Sequence, residues 1–233
     1  MEKIRQQLQS QLAMLADDKY LSFAASLIPG MQRRMWGVRL PALRKIAQKL
    51  ACEDWQEWFR SDSSNDSFEE VMLRGMVLGS AKIDWEIFQQ YLLELVPLID
   101  NWSLCDSCCV GFTMVREHRE EAWLFLQEIL QRPTEFSQRF VVVMMMDHFL
   151  VDEYIERVLT EWRQISPQGY YAVMGLAWAY SVAFVKYPQQ VWDVLNDAGI
   201  SQQVRRMACQ KILESRRTTP VWREKISALR KKT

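Results

Sequence analysis

Apolar residues recur at helical spacing along nearly the whole chain, and no stretch alternates apolar and polar residues as a half-buried strand would. That pattern excludes sheet-based folds and leaves helices packed on helices. The punctuation agrees. Asp66-Ser67-Phe68-Glu69-Glu70 reads as a capped helix start, with acids in the first turn where the helix dipole favours negative charge. Asp84-Trp85-Glu86 opens the next helix, which runs towards Pro97. Pro133-Thr134-Glu135 and Ser166-Pro167 are each expected to open another, with proline in the first turn. Ser201 is expected to cap a helix running to Ser215, and Thr219-Pro220 to start the last. The run Val141-Val142-Val143-Met144-Met145-Met146 is apolar on all sides, as a central core helix would be. Only Ser61 to Asn65 reads as loop, too short for a linker, so residues 1–233 read as a single domain.

About fourteen helices are expected, in pairs of roughly 30–40 residues, the length scale of HEAT-type repeats. Such a pair cannot bury its apolar face alone. It stacks on its neighbours into an all-α, HEAT-like solenoid with a concave face. Spacing alone leaves an irregular helical bundle as the alternative. Hydrophobic residues are 49% of the chain, which is enough for a sizeable core.

Several function classes fall away. No apolar run approaches the roughly 20 residues of a membrane span. Met1 is followed by Glu2, Lys3, Arg5 and glutamines, with no signal-like apolar stretch. The five cysteines are odd in number, with three bunched at Cys105, Cys108 and Cys109, as reduced thiols in a cytoplasm would be. The only histidines are His118 and His148, and neither sits in a nucleophile motif. The spacing of Cys105 and Cys108 lacks a second ligand pair, and there is no glycine-rich phosphate loop. We therefore expect no metal and no cofactor. The protein is expected to be a cytoplasmic monomer that does not associate with membranes.

Charge is balanced overall, with 29 basic and 29 acidic residues, but unevenly distributed. Arg33, Arg34, Arg39, Arg44, Lys45 and Lys49 lie between Met31 and Leu50 without a single acid. Residues 52–100 are strongly acidic, and the chain from Arg205 onward is strongly basic. Two basic regions flanking an acidic one can meet phosphates along one face. They can equally be solvated helix faces with a basic tail at Arg230-Lys231-Lys232.

Three short pieces break the apolar pattern: Asn101-Trp102-Ser103-Leu104-Cys105-Asp106, Glu135-Phe136-Ser137-Gln138-Arg139-Phe140 and Ala177-Trp178-Ala179. Trp102 and Asp106 are four apart and share a helix face. A buried aspartate beside an indole is costly unless it is used or hydrogen-bonded. Each residue also has an ordinary explanation. Asp106 can cap or pair locally, Arg139 can snorkel, and Trp178 can pack.

The ordered set resembles the AlkD-type DNA alkylation repair enzymes. The likeness begins at Trp36-Gly37-Val38-Arg39-Leu40-Pro41 and Leu43-Arg44-Lys45, and runs through Trp102, Asp106, Arg139-Phe140 and Ala177-Trp178-Ala179. It ends near Lys211-Ile212-Leu213-Glu214-Ser215-Arg216-Arg217. The resemblance implies a HEAT-like DNA glycosylase that hydrolyses the N-glycosidic bond of cationic N3- and N7-alkylated purines in duplex DNA. It implies a lesion left in the stack, where many base-processing enzymes flip theirs out. It assigns the catalytic carboxylate to Asp106, the lesion-side indoles to Trp102 and Trp178, and a backbone contact to Arg139. Arg39, Arg44, Lys45, Lys211, Arg216 and Arg217 are the further expected backbone contacts.

The chemistry of these residues points the same way. A cationic purine is already a good leaving group and needs little general-acid help, which suits a site without histidine. An ionised carboxylate can stabilise the developing oxocarbenium ion and position a water. Indole faces attract cations by about 0.5–2 kcal/mol each. Two positions depart from the family pattern. Ser103 stands where an acid is usual, and Ala179-Tyr180-Ser181-Val182-Ala183-Phe184 carries no charge before Lys186. The alternatives are a non-catalytic binding module of the same fold, for nucleic acid or protein, and a structural scaffold.

Overall fold

The computed structural model describes residues 2–131, 133–197 and 199–232. The described residues form fourteen α-helices: α1 Glu2–Leu15, α2 Asp18–Ser26, α3 Leu40–Leu50, α4 Gln56–Phe59, α5 Phe68–Ser80, α6 Trp85–Leu95, α7 Trp102–Cys109, α8 Arg119–Leu130, α9 Glu135–His148, α10 Ile155–Gln164, α11 Tyr170–Lys186, α12 Pro188–Asn196, α13 Gln202–Glu214 and α14 Pro220–Lys231. Two 3-10 turns, Val96–Leu98 and Thr113–Arg116, flank α7, and no strand occurs among the described residues. The chain forms two compact units, Met1–His118 and Arg119–Thr233. In the first, α5 packs between α3 and α7. In the second, α11 packs between α9 and α13, with α12 against α11 and α14 against α13. Within each unit alternate helices stack on one another, α3, α5 and α7 in the first and α9, α11 and α13 in the second, the packing of a helical repeat solenoid.

The inner helices are the most deeply buried. Helix α5 is buried from Phe68 through Leu78, and α9 buries Phe140 to Met146, the run that reads as central core. Close approach of α5 and α7 depends on Gly75, where a Cβ would lie 2.2 Å from the Cys108 sulfur.

Charge enters this core at the start of α5. Ser67 and Glu70 form a capping box: the Ser67 hydroxyl accepts from the Glu70 N–H at 3.2 Å, and the Glu70 carboxylate accepts from the Ser67 N–H at 2.9 Å. Arg74 Nε donates to Asp66 at 2.6 Å, and its Nη groups donate to the carbonyls of Trp58, Phe59 and Ser61. Arg5 and Gln9 of α1 donate to Asp66 and Glu70 at 3.0 and 3.1 Å. The Glu69 carboxylate accepts the N–H groups of Trp36, Gly37 and Val38 at 2.9, 2.8 and 3.2 Å. Burial is the largest influence on the Glu69 carboxyl and raises it above the usual range, against the pull of those N–H groups.

This network explains a departure from the expected loops. Residues 27–39 form an irregular connection that hydrophobic spacing did not mark, so the basic stretch from Met31 to Leu50 is half loop and half helix. Glu69 takes three successive N–H groups from this segment, and the Phe68 N–H takes the Arg34 carbonyl at 2.8 Å. Those bonds hold it extended.

A second correction concerns Ser166-Pro167, which lies in a loop and opens no helix. The Gln138 side chain donates to the Ser166 carbonyl at 2.9 Å and accepts from the Gln168 N–H at 2.7 Å, keeping the segment out of helical geometry. Helix α11 starts at Tyr170, and Glu135 of α9 accepts the Tyr171 N–H at 2.5 Å. Gly169 before it has φ 92°, and a Cβ there would lie 2.5 Å from the Glu135 carboxylate. Ser201 stands at the N-cap position of α13, but its side chain makes no capping bond.

Glu69→Gln is expected to lower the unfolding free energy at pH 7 by about 1–3 kcal/mol in a urea titration, because an amide N–H₂ then faces N–H donors. The folded carboxyl holds its proton more tightly than the unfolded one. The stability linked to that proton, distinct from the bonds to the three N–H groups, is therefore fully present below the ordinary glutamate pKa and is lost as pH rises through the raised value. The variant should lack that slope.

Candidate active site

Helix α7 carries Trp102 and Asp106, and its start is tightly defined. Asn101 is the N-cap, accepting the Leu104 N–H at 3.0 Å while its amide donates to Asp100 at 2.8 Å. Arg33 Nε donates to the other Asp100 oxygen at 2.7 Å, and its Nη groups reach the carbonyls of Asp66 and Leu98 at 3.4 and 3.5 Å. The Trp102 indole N–H donates to the Leu27 carbonyl at 3.1 Å. The irregular 27–39 segment thus grips α7 twice.

One face of α7 is buried through Leu104, Cys105, Cys108 and Cys109. The other runs through Trp102, Ser103, Asp106 and Ser107, all half-buried, to the exposed Val110. Trp102 and Asp106 therefore share the solvent-facing stripe that their spacing predicts. Asp106 is half-buried, so its carboxylate bears less desolvation than a core position would impose. Burial first, then Cys105 and Asp106, pushes the Cys108 thiol well above its ordinary pKa, so it packs as a neutral group.

The α3 cations diverge. Arg39 pairs with Asp17 at 3.0 Å and lies 4.6 Å from the Tyr20 ring centre. Asp17 is itself the N-cap of α2, and the Tyr20 N–H, then Arg39, hold its carboxyl below the usual range. Arg44 and Lys45 are both exposed but line different hollows. Lys45 shares a groove with Lys3 of α1, whereas Arg44 shares a cleft with Ser107 of α7.

In the second unit Arg139 is only 6% exposed and donates from Nη1 to the Tyr171 carbonyl at 2.8 Å. A charge in an apolar helix is thereby explained: with Glu135 and Gln138 it holds the segment leading into α11. Trp178 is half-buried on α11, between the buried Ala177 and Ala179. Most of the uncharged stretch after it (Ala179, Tyr180, Ser181, Ala183, Phe184) is core, which gives a packing reason for its lack of charge. Lys211 is half-buried on α13, and Arg216 and Arg217 are exposed in the turn before α14. Arg223 closes that turn, donating to the carbonyls of Leu213, Ser215 and Thr218 at 2.8, 2.7 and 3.2 Å.

Among the described residues, no three of His, Cys, Asp and Glu gather into a group that could hold a metal ion, and no helix is long and apolar enough to cross a membrane. The ring of His118 stacks on Trp85, with centroids 5.4 Å apart. Sequence reasoning did not identify the supports of α7. Arg33 and Leu27 lie 67 and 75 residues from the groups they hold, and no local pattern marks such pairs.

A family model described as DNA alkylation repair enzyme matches residues 8–162. The match includes Arg39, Arg44, Lys45, Trp102, Asp106 and Arg139, and it stops before Trp178, Lys211, Arg216 and Arg217. No curated protein and no solved structure matches the chain.

Arg33→Ala is expected to loosen the first turn of α7. Amide exchange at Leu104 should speed up by about tenfold or more, given the roughly 1.5–3 kcal/mol of a charged hydrogen bond, and Arg33→Lys should restore part of the protection.

Proposed function

Because this chain belongs to the DNA alkylation repair enzyme family, we propose that it is a DNA glycosylase hydrolysing the N-glycosidic bond of cationic N3- and N7-alkylated purines in duplex DNA. One observation carries the proposal: a carboxylate and an indole side by side on the solvent-facing stripe of α7, in a helix whose first turn is held from three directions.

In this reading the glycosidic C1′–N bond breaks with its electron pair passing to the purine, which leaves neutral. Positive character develops on the sugar. Asp106 faces that charge and orients a water, whose oxygen bonds to C1′ as its proton passes to the carboxylate or solvent. The products are the free alkylpurine and an abasic sugar. A fixed carboxylate is most useful where charge appears only in the transition state. Trp102, its N–H committed to Leu27, offers its ring face to the cationic nucleotide.

In the same reading Trp178 is a second lesion-side indole, and Arg39, Arg44, Lys45, Lys211, Arg216 and Arg217 meet the sugar-phosphate backbone. Such contacts fix register without reading sequence, as suits repair at any site. Arg139 is the backbone contact beside the lesion, with Nη1 donating to the Tyr171 carbonyl in the protein alone. The protein works as a cytoplasmic monomer, a single HEAT-like repeat domain over residues 1–233.

The second reading, a non-catalytic module of the same fold that binds nucleic acid or protein, draws on Arg39 and Arg139. Each of these expected backbone contacts is engaged within the protein, with Asp17 and with the Tyr171 carbonyl.

Release of 7-methylguanine and 3-methyladenine from methylated duplex separates the two. The glycosylase should release both bases, and Asp106→Asn should slow release by about 10²–10⁴-fold. Release by wild type no faster than by Asp106→Asn would sink the enzymatic reading. Tight, steeply salt-dependent binding without release would establish the module.

A further inference from the structure

Helices α3, α5 and α7 of the first unit enclose a cleft of about 170 Å³. Arg44 and Gln48, one turn apart on α3, form one side, and Ser107 and Cys108 at the end of α7, with Val110 and Gly111 just beyond it, form the other. Between them lie Gly79 and Ser80 at the end of α5. No carboxylate lines it. A Cβ on Gly79 would stand 2.9 Å from the Gly111 carbonyl oxygen, so at this edge of the cleft backbone lies against backbone. A preformed hollow of this kind costs little to occupy.

The polar side chains around it are Arg44, Gln48, Ser80 and Ser107, set beside the apolar Met76, Cys108 and Val110. Arg44 supplies a planar, permanently charged fork suited to phosphate oxygens. The Gln48 amide and the Ser107 hydroxyl supply neutral donors. The volume takes a phosphate group and a few waters, each water occupying about 30 Å³.

We propose that this cleft is a phosphodiester subsite. Arg44, Gln48 and Ser107 hold one backbone phosphate of the strand whose sugar faces Asp106, an identification of the strand that rests on the glycosylase reading. Ser107 follows Asp106 on α7, one residue's rise of about 1.5 Å along the axis and about 100° around it, so the held phosphate lies beside that sugar. A fixed phosphate there positions the nucleotide and adds its own negative charge near the developing oxocarbenium ion. It also supplies from α3 and α7 a backbone grip that the core-forming residues after Trp178 do not carry.

The test is binding of methylated duplex across a range of salt concentrations for wild type, Arg44→Gln, Gln48→Ala and Ser107→Asp, with melting temperatures as a check on folding. Arg44→Gln should reduce the slope of log K against log salt by about one, the value of one lost phosphate contact. Ser107→Asp, which puts an anion into the cleft, should weaken binding at least about tenfold. If Ser107→Asp does not fold, Arg44→Gln with Gln48→Ala decides. Wild-type slope and affinity in the folded variants overturn the subsite. Inorganic phosphate is titrated in parallel. Loss of its binding in Arg44→Gln, with the duplex slope unchanged, shows a free-anion site and also overturns the proposal. Changed slopes without any base release would leave the subsite standing and remove the glycosylase reading. Normal release with unchanged slopes would do the reverse.

Discussion

Asp66, Glu69, Glu70 and Arg74 lie at the start of α5 with between 1 and 4% of their surfaces exposed. Burying four ionisable groups in an apolar layer is costly unless every oxygen and nitrogen finds a partner. Here the partners are the rest of the first unit. Asp66 is held by Arg74 and Arg5, Glu70 by the capping box and Gln9, and Glu69 by three backbone N–H groups. Through them α1, the 27–39 segment and the chain around residues 58–61 are all fastened to one helix end. The candidate catalytic helix depends on this arrangement indirectly. The segment that Glu69 straightens supplies both the Leu27 carbonyl under Trp102 and the Arg33 clamp on Asp100.

The second unit solves the same problem with the same device. Glu135, Gln138 and Arg139, at the start of α9, bond to backbone groups from Ser166 to Tyr171 and shape the entry to α11. Arg74 and Arg139 are counterparts in this respect. Each is a buried guanidinium on an inner helix that donates to carbonyls of a neighbouring segment. Arg139 therefore has a structural duty whatever it does on DNA, and its place in an apolar helix is not by itself a mark of function. The exposed stripe of α7 is different. Trp102 and Asp106 lie half-buried on the outward stripe of a helix whose other face is core.

Much of this was legible in the residues, and the limits of legibility have physical causes. The capping box at Ser67 and Glu70, the N-cap at Thr134 and the proline start at Pro220 were readable because their bonds or backbone preferences are local. Ser166-Pro167 misled for the complementary reason: it offers a good local helix start, but Gln138, 28 residues away, holds the Ser166 carbonyl. The 27–39 connection went unseen because Glu69, the residue that straightens it, is over 30 residues distant. In the candidate site, spacing alone put Trp102 and Asp106 on one face. It could not separate Arg44 from Lys45, which are adjacent in sequence yet line different hollows.

What the sequence by itself determined is the class of fold and the chemistry available. Helical periodicity excludes sheets, neither histidine sits in a nucleophile motif, and a carboxylate four residues from an indole makes a shared face. These follow from interactions within a turn or two of helix. The tertiary structure alone decided which charges are committed and which face solvent. Glu69, Arg74 and Arg139 are bound inside, Arg39 is paired with Asp17, and Arg44 lines a cleft together with Ser107. The reason is that a charge's role depends on its desolvation and its partner, and for these charges the partners lie from 8 to 33 residues away.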